Sequence, residues 1–156
     1  MNIDEIIRHT ISLEGGYVND PDDAGGETKY GISKRSYPTE DIANLTVARA
    51  VEIYKRDFWD KSNLGLLTNE QVARKVFDMG VNMGQGVPIR FLQQIVGEKE
   101  DGILGPSTAN AVNAENSQKV LDELRKKQLL RYTNIVEKKP EQIKFFKGWI
   151  NRTFST

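Results

Sequence analysis

The chain contains no cysteine. That excludes a disulfide framework and a thiolate metal centre together. It contains one histidine, His9, so no cluster of imidazole ligands is available. By spacing His9 lies near Glu5 and Leu13 on the first helix, as a solvated or half-buried helical residue. An excess of either charge is also missing: 22 Lys and Arg stand against 22 Asp and Glu. No global field therefore recruits nucleic acid or an acidic membrane. No apolar run approaches the roughly 18 residues that span a bilayer. The opening Met1–Arg8 lacks a basic stretch followed by an apolar one, so it does not read as a secretory signal. What is present is a chain of 156 residues, 38% hydrophobic and 28% charged. That size fits one globular domain, and roughly 68–70% of its unfolded surface is buried on folding.

Helical periods dominate. Ile3, Ile7, Ile11 and Glu14 follow steps of four, four and three along one face, with Ile6 widening the stripe. Gly15-Gly16 then supplies a stop. Thr46 is expected to cap a helix reaching about Trp59, with Val47, Ala50, Val51, Tyr54 and Phe58 inward. Thr68-Asn-Glu-Gln71 has the form of a capping box opening a helix to about Asn82. Pro88 sits in the first turn of a helix through Phe91, Leu92, Ile95 and Val96. Gly105-Pro106 starts a short helix. Residues 117 to 138 form the longest, Pro140 ends it, and a last helix carries Phe145, Phe146, Trp149 and Ile150. Period-two alternation is scarce. The fold class is mainly α, with a small β or coil region near the N-terminus and short pairing around Tyr17-Val18 and Tyr30-Ile32.

Residues 14 to 33 stand apart. Five glycines and one proline in twenty residues weaken any regular element, so this loop is read by what it presents. Glu14 continues the apolar stripe of its helix, which turns it toward the interior or a cleft. It also falls in the last turn, where the helix dipole is negative. Both effects favour the protonated acid, the form that glycoside hydrolysis asks of a proton donor. A helix-terminal glutamate paired with a lysine is the plain alternative. Asp20, Asp22, Asp23 and Thr28 follow on the loop. An aspartate there can orient a water or stabilise an oxocarbenium-like centre, and the Thr28 hydroxyl can help hold the water. Turn formation through side-chain bonds to the backbone explains the aspartates equally well.

Two other loop chemistries fit less well. Asp20-x-Asp22-x-Ala24-Gly25 begins like an EF-hand, but Ala24 and Gly31 occupy the fifth and twelfth positions, where ligands are needed. No Gly-Lys-Ser/Thr follows the glycines, as a phosphate loop requires. Downstream, Asp78 and Asn82 lie four apart on one helical face, where they can line a cleft or cap the helix end. Tyr17, Tyr30, Trp59 and Trp149 are amphipathic rings able to stack on sugars, although aromatics in a small α protein are most often core.

The segment Glu14-Gly-Gly-Tyr17…Asp20-Pro-x-Asp23-x-Gly-Gly-x-Thr28-x-x-Gly31-Ile-Ser33 resembles glycoside hydrolase family 108, lysozyme-like N-acetylmuramidases of phage endolysins and bacterial prophage or secretion-associated proteins. The likeness extends to Phe77-Asp78…Val81-Asn82-x-Gly84, to Leu92-Gln93…Asp101-Gly102-x-x-Gly105-Pro106-x-Thr108, and to Phe146-x-Gly148-Trp149-x-x-Arg152. It covers almost the whole chain, and the second half resembles the family's predicted peptidoglycan-binding region. The resemblance implies Glu14 as catalytic acid. By analogy with phage-type lysozymes it implies Asp23 and Thr28 as its partners, with Asp20 competing with Asp23. Tyr17, Tyr30, Asn82 and Trp149 become substrate-binding residues.

The resemblance further implies a mainly α, lysozyme-like single domain, with residues 1–85 as the catalytic lobe and 86–156 as a helical peptidoglycan-binding lobe, a cleft lying between them. The expected activity is hydrolysis of the β-1,4 bond between N-acetylmuramic acid and N-acetylglucosamine by an acid and an activated water. No metal or organic cofactor is expected. A lytic transglycosylase or a non-catalytic wall-binding module are the alternatives. The expected partner of the monomer is the peptidoglycan glycan strand, without nucleic acid or membrane insertion. Synthesis in the cytoplasm without a signal peptide would leave delivery to a holin, lysis or a secretion system.

Overall fold

The computed structural model describes residues 1–22 and 25–156. The chain packs as two compact units, Met1–Phe58 and Trp59–Thr156.

In the first unit, α1 (Ile3–Leu13) opens on Asn2, whose side chain accepts the Glu5 N–H at 3.1 Å. Asp4 and Glu5 fill its first turn, where negative charge meets the positive end of the helix. Ile6, Ile7, Thr10 and Ile11 form its buried face. The helix stops at Glu14, which leaves helical geometry at φ −82°, ψ 150°. The chain then builds a three-stranded antiparallel sheet, β1 (Val18–Asn19), β2 (Glu27–Lys29) and β3 (Ile32–Ser33), in sequence order. Val18 faces Thr28, Thr28 faces Ser33, and Lys29 faces Ile32.

Tyr30 and Gly31 link β2 to β3 with φ of 54° and 80°. Two left-handed residues are what a type I′ hairpin turn requires. α2 (Val47–Tyr54) is capped by Thr46, as expected, and packs on α1. The loop before it is tied down by Tyr37, whose hydroxyl donates to Asp57 at 2.7 Å, and by the Arg49–Glu40 ion pair. Burial and the Asp57 carboxylate push the Tyr37 phenol up to about 12. Beyond Tyr54 the helix widens into π geometry over Lys55–Asp60.

The second unit is helical: α3 (Glu70–Met83), α4 (Gly86–Val96), α5 (Pro106–Ala114), α6 (Ser117–Lys138), a 3-10 segment (Pro140–Phe145) and α7 (Phe146–Thr153). α3 packs on α4 and α6, and α7 packs on α6. Val72, Val76, Phe77 and Met79 are buried on α3, and Val120, Leu121, Leu124 and Tyr132 on α6. The expected lobe division at residues 85–86 and this division by packing fall in different places. α3 groups with the C-terminal helices because they cover its apolar face.

Two local expectations are corrected. The N-cap of α3 is Asn69, which accepts the Val72 N–H at 3.0 Å, and not Thr68, whose own N–H is taken by Asn113 Oδ1. The buried face of α4 is Pro88, Ile89, Leu92 and Gln93, so Phe91 and Ile95 are only half-buried.

Candidate active site

Glu14 is half-buried at the negative end of α1, with no basic residue in that last turn. Its surroundings come from the hairpin turn. The Gly15 carbonyl accepts the Tyr30 N–H at 3.1 Å, which brings the turn to the residue after the acid. The carboxylate then lies against Gly31: a Cβ built there falls 3.1 Å from Glu14 Oε2 and 3.1 Å from its Cγ. The same Cβ falls 2.5 Å from the Tyr54 hydroxyl oxygen. That hydroxyl donates to the Tyr30 carbonyl at 2.7 Å, and Tyr54 itself is 1% exposed. α1, the turn and α2 therefore converge on one carboxylate, and only a glycine at 31 leaves room for it.

The other candidates of the first unit sit on or beside the sheet. Thr28 is half-buried at the centre of β2, between Val18 and Ser33. Tyr17 is exposed and donates its hydroxyl to Glu27 Oε1 at 2.9 Å, and this hydrogen bond is the first cause raising its pKa. Tyr30 is half-buried, with the Lys29 ammonium 5.3 Å from its ring centre. Asp20 is exposed, and its Oδ1 accepts the Asp22 N–H at 2.9 Å in a side-chain-closed turn. Asp23 lies outside the described residues.

Asn82 and Trp149 belong to the second unit, where Tyr132 joins them. The Tyr132 hydroxyl donates to Asn82 Oδ1 at 2.8 Å and accepts from Gln128 Nε2 at 3.1 Å. Its ring stacks on Trp149 at 4.9 Å with planes 17° apart, and Phe145 lies 6.1 Å beyond. Asn82 is exposed and Trp149 half-buried. Asp78 does not line an open surface with Asn82: it is fully buried and takes two bonds from Arg152, at 3.1 and 3.3 Å. Trp59 is core, 1% exposed and 5.8 Å from Phe77. Tyr54, Glu27 and Tyr132 were not singled out from sequence for any role at a site. A tyrosine on a buried helical face needs a partner for its hydroxyl, which was the available signal for Tyr54 and Tyr132.

Among the described residues, no group of three or more His, Cys, Asp or Glu side chains is placed to hold a metal ion, and no helix is long and apolar enough to cross a membrane.

Comparison with known proteins places these residues. Residues 7–84 match the family model described as Glycosyl hydrolase 108, and residues 87–154 match one described as Predicted Peptidoglycan domain. Among solved structures, the structure of Brucella abortus SagA aligns over 97% of this chain and 88% of that one. Its identity is 27% and its TM-score 0.77. No curated protein matches. Glu14, Thr28, Tyr30, Gly31 and Asn82 all fall inside the first matched segment, and Tyr132 and Trp149 inside the second. The mainly α, lysozyme-like fold class expected from the sequence holds.

Proposed function

The chain belongs to the glycosyl hydrolase 108 family and is a glycoside hydrolase acting on peptidoglycan, and from that premise we propose that it is an N-acetylmuramidase with Glu14 as its proton donor. Glu14 gives its proton to the glycosidic oxygen between N-acetylmuramic acid and N-acetylglucosamine. A water held by Asp23 or Asp20 with Thr28 attacks the anomeric carbon from the opposite face, with inversion. Tyr17, Tyr30, Asn82 and Trp149 contact the sugars. On this reading the protein is a bacteriolytic monomer of phage or prophage type, brought to the wall by a holin, lysis or a secretion system.

The observation that carries the reading is the fit of the Glu14 carboxylate against Gly31, under the Tyr54 hydroxyl. A carboxylate that only ended a helix would need neither a side-chain-free residue beside it nor a buried phenol bracing the turn. A general acid is served by such a fixed position, because proton transfer depends on position before strength.

Digestion of purified sacculi, with products weighed by mass spectrometry, tests the reading. Muropeptides ending in reducing N-acetylmuramic acid are expected, and NMR of the first-formed anomer is expected to show inversion. A 1,6-anhydro end would make the protein a lytic transglycosylase. Sacculus binding without any product would make it a wall-binding module.

A further inference from the structure

A groove of about 530 Å³ runs along one face of α6 and takes Phe91 from α4. That lies within the roughly 300–1,000 Å³ of clefts that hold small ligands. Three cations line it, Lys127, Arg131 and Lys138, beside the apolar surfaces of Phe91, Leu130 and Ile135. Lys127, Arg131, Asn134 and Lys138 follow one another at steps of four, three and four, so they share one helical face.

Like charges four apart on a helix are destabilising, yet Lys127 and Arg131 stand at that spacing. Among the described residues, no ion pair joins any of the three cations to a carboxylate, and none of the groove-lining residues is acidic. Instead Lys127 donates to Gln94 Oε1 at 2.9 Å and lies 6.0 Å from the centre of the Phe91 ring. The nearby Glu100 is occupied by the Gln94 amide, which donates to it at 2.6 Å. Leu130 is 55% exposed. This face keeps uncompensated positive charge beside bare apolar surface.

We propose that this groove binds the peptide stem of peptidoglycan, as a site separate from the one that cleaves the glycan. This rests on the reading of the protein as a peptidoglycan hydrolase. A stem is a short peptide carrying several free carboxylates and alanine methyl groups. Its carboxylates answer Lys127, Arg131 and Lys138, its methyls answer Phe91, Leu130 and Ile135, and the Asn134 amide can bond its backbone. Where a stem is amide-linked to the lactyl group of each N-acetylmuramic acid, the sugars themselves have no charge with which to use three cations. All of these residues fall within the segment that matches the peptidoglycan domain.

The test uses the full chain and a soluble stem tetrapeptide, alanyl–γ-glutamyl–diaminopimelyl–alanine, titrated by calorimetry. The wild type is expected to bind it. The triple variant Lys127→Ala/Arg131→Ala/Lys138→Ala is expected to lose about tenfold or more in affinity through lost charge-assisted bonds, with an unchanged melting temperature. The tetrapeptide with its carboxylates amidated is expected to bind as weakly as the variant binds the free acid. Hydrolysis of whole sacculi by the variant should show a raised KM and unchanged kcat, while hydrolysis of glycan strands stripped of stems by an amidase, with the lactyl carboxylates so freed then amidated, should not change. Equal tetrapeptide binding by wild type and variant overturns the proposal. So does a wild type that ignores the tetrapeptide but binds phosphatidylglycerol vesicles through these cations. If neither sacculi nor stripped strands are cut by the wild type, the muramidase reading fails, and the calorimetry still decides the groove.

Discussion

Glu14, Gly31 and Tyr54 carry the account at the scale of single residues. Gly31 holds φ 80° and leaves no room for a Cβ beside the Tyr54 oxygen. Gly31→Ala should therefore destabilise the first unit by about 2 kcal/mol or more, from left-handed strain and overpacking together, and should lower kcat by moving Glu14. Tyr54→Phe removes the hydrogen bond to the Tyr30 carbonyl, for about 1 kcal/mol. Combining the two should recover part of the Gly31→Ala loss, because the phenol oxygen that meets the new methyl is gone. Urea unfolding and turnover of the three variants check this, and additive losses would contradict it. The half-buried place of Glu14 at the end of α1 was legible in the sequence, because it continues an apolar stripe into a pair of glycines. Its brace was not, because Tyr54 meets a backbone carbonyl 24 residues away, and local spacing carries no information about that.

Lys75 belongs to the same scale. It is fully buried on α3 and donates to the Thr153 carbonyl at 2.6 Å. Burial lowers its ammonium to about 8, from 10.5, against an opposing pull from Asp78. Below pH 8 both the folded and unfolded chains carry the charge, and the folded state bears the whole cost of burying it. Between pH 8 and 10.5 the unfolded chain holds more protons, so this group makes stability rise with pH, by up to about 3 kcal/mol. The unfolding free energy of wild type minus that of Lys75→Met, followed from neutral pH to 10.5, should become more positive across that window. A flat difference would contradict the assignment.

Among the elements, α6 shows how far local rules reach. Its expected span of 117 to 138 is the observed one, since Asn116 caps it and Pro140 stops it. α3 shows where they fail. Thr68 and Asn69 are both acceptable caps; Asn69 takes the role by accepting the Val72 N–H, while Asn113 from α5 accepts the Thr68 N–H. Asn69→Ala should cost about 1 kcal/mol, and Thr68→Ala much less. The π stretch at Lys55–Asp60 was read as ordinary helix, because apolar spacing does not separate the two. The Asp101–Thr108 block is held by a buried amide: Gln93 Nε2 reaches Asp101, Ile103 O and Thr108, and its Oε1 takes the Gly102 N–H. Gln93→Leu should cost about 2–3 kcal/mol by orphaning those groups, measurable by chemical denaturation.

At the scale of the whole molecule, the mainly α class was legible because long amphipathic periods fill most of the chain. The family was legible because the Glu14–Ser33 stretch combines an acid, glycines and hydroxyl residues that no core element would choose. The division into packing units was not legible. It depends on which helices cover α3, and an amphipathic stripe states that a face is buried without naming what buries it. The buried Asp78–Arg152 pair illustrates the point: the two residues stand in separate segments, and only folding joins them.

The central claim is that Glu14 supplies the proton for glycan cleavage. Its most direct test is turnover of purified sacculi by Glu14→Gln, with circular dichroism and melting to confirm the fold. The account predicts a native fold, retained sacculus binding and a fall in kcat of about 10²–10⁴-fold or more. Cleavage by the folded variant at the wild-type rate would contradict it.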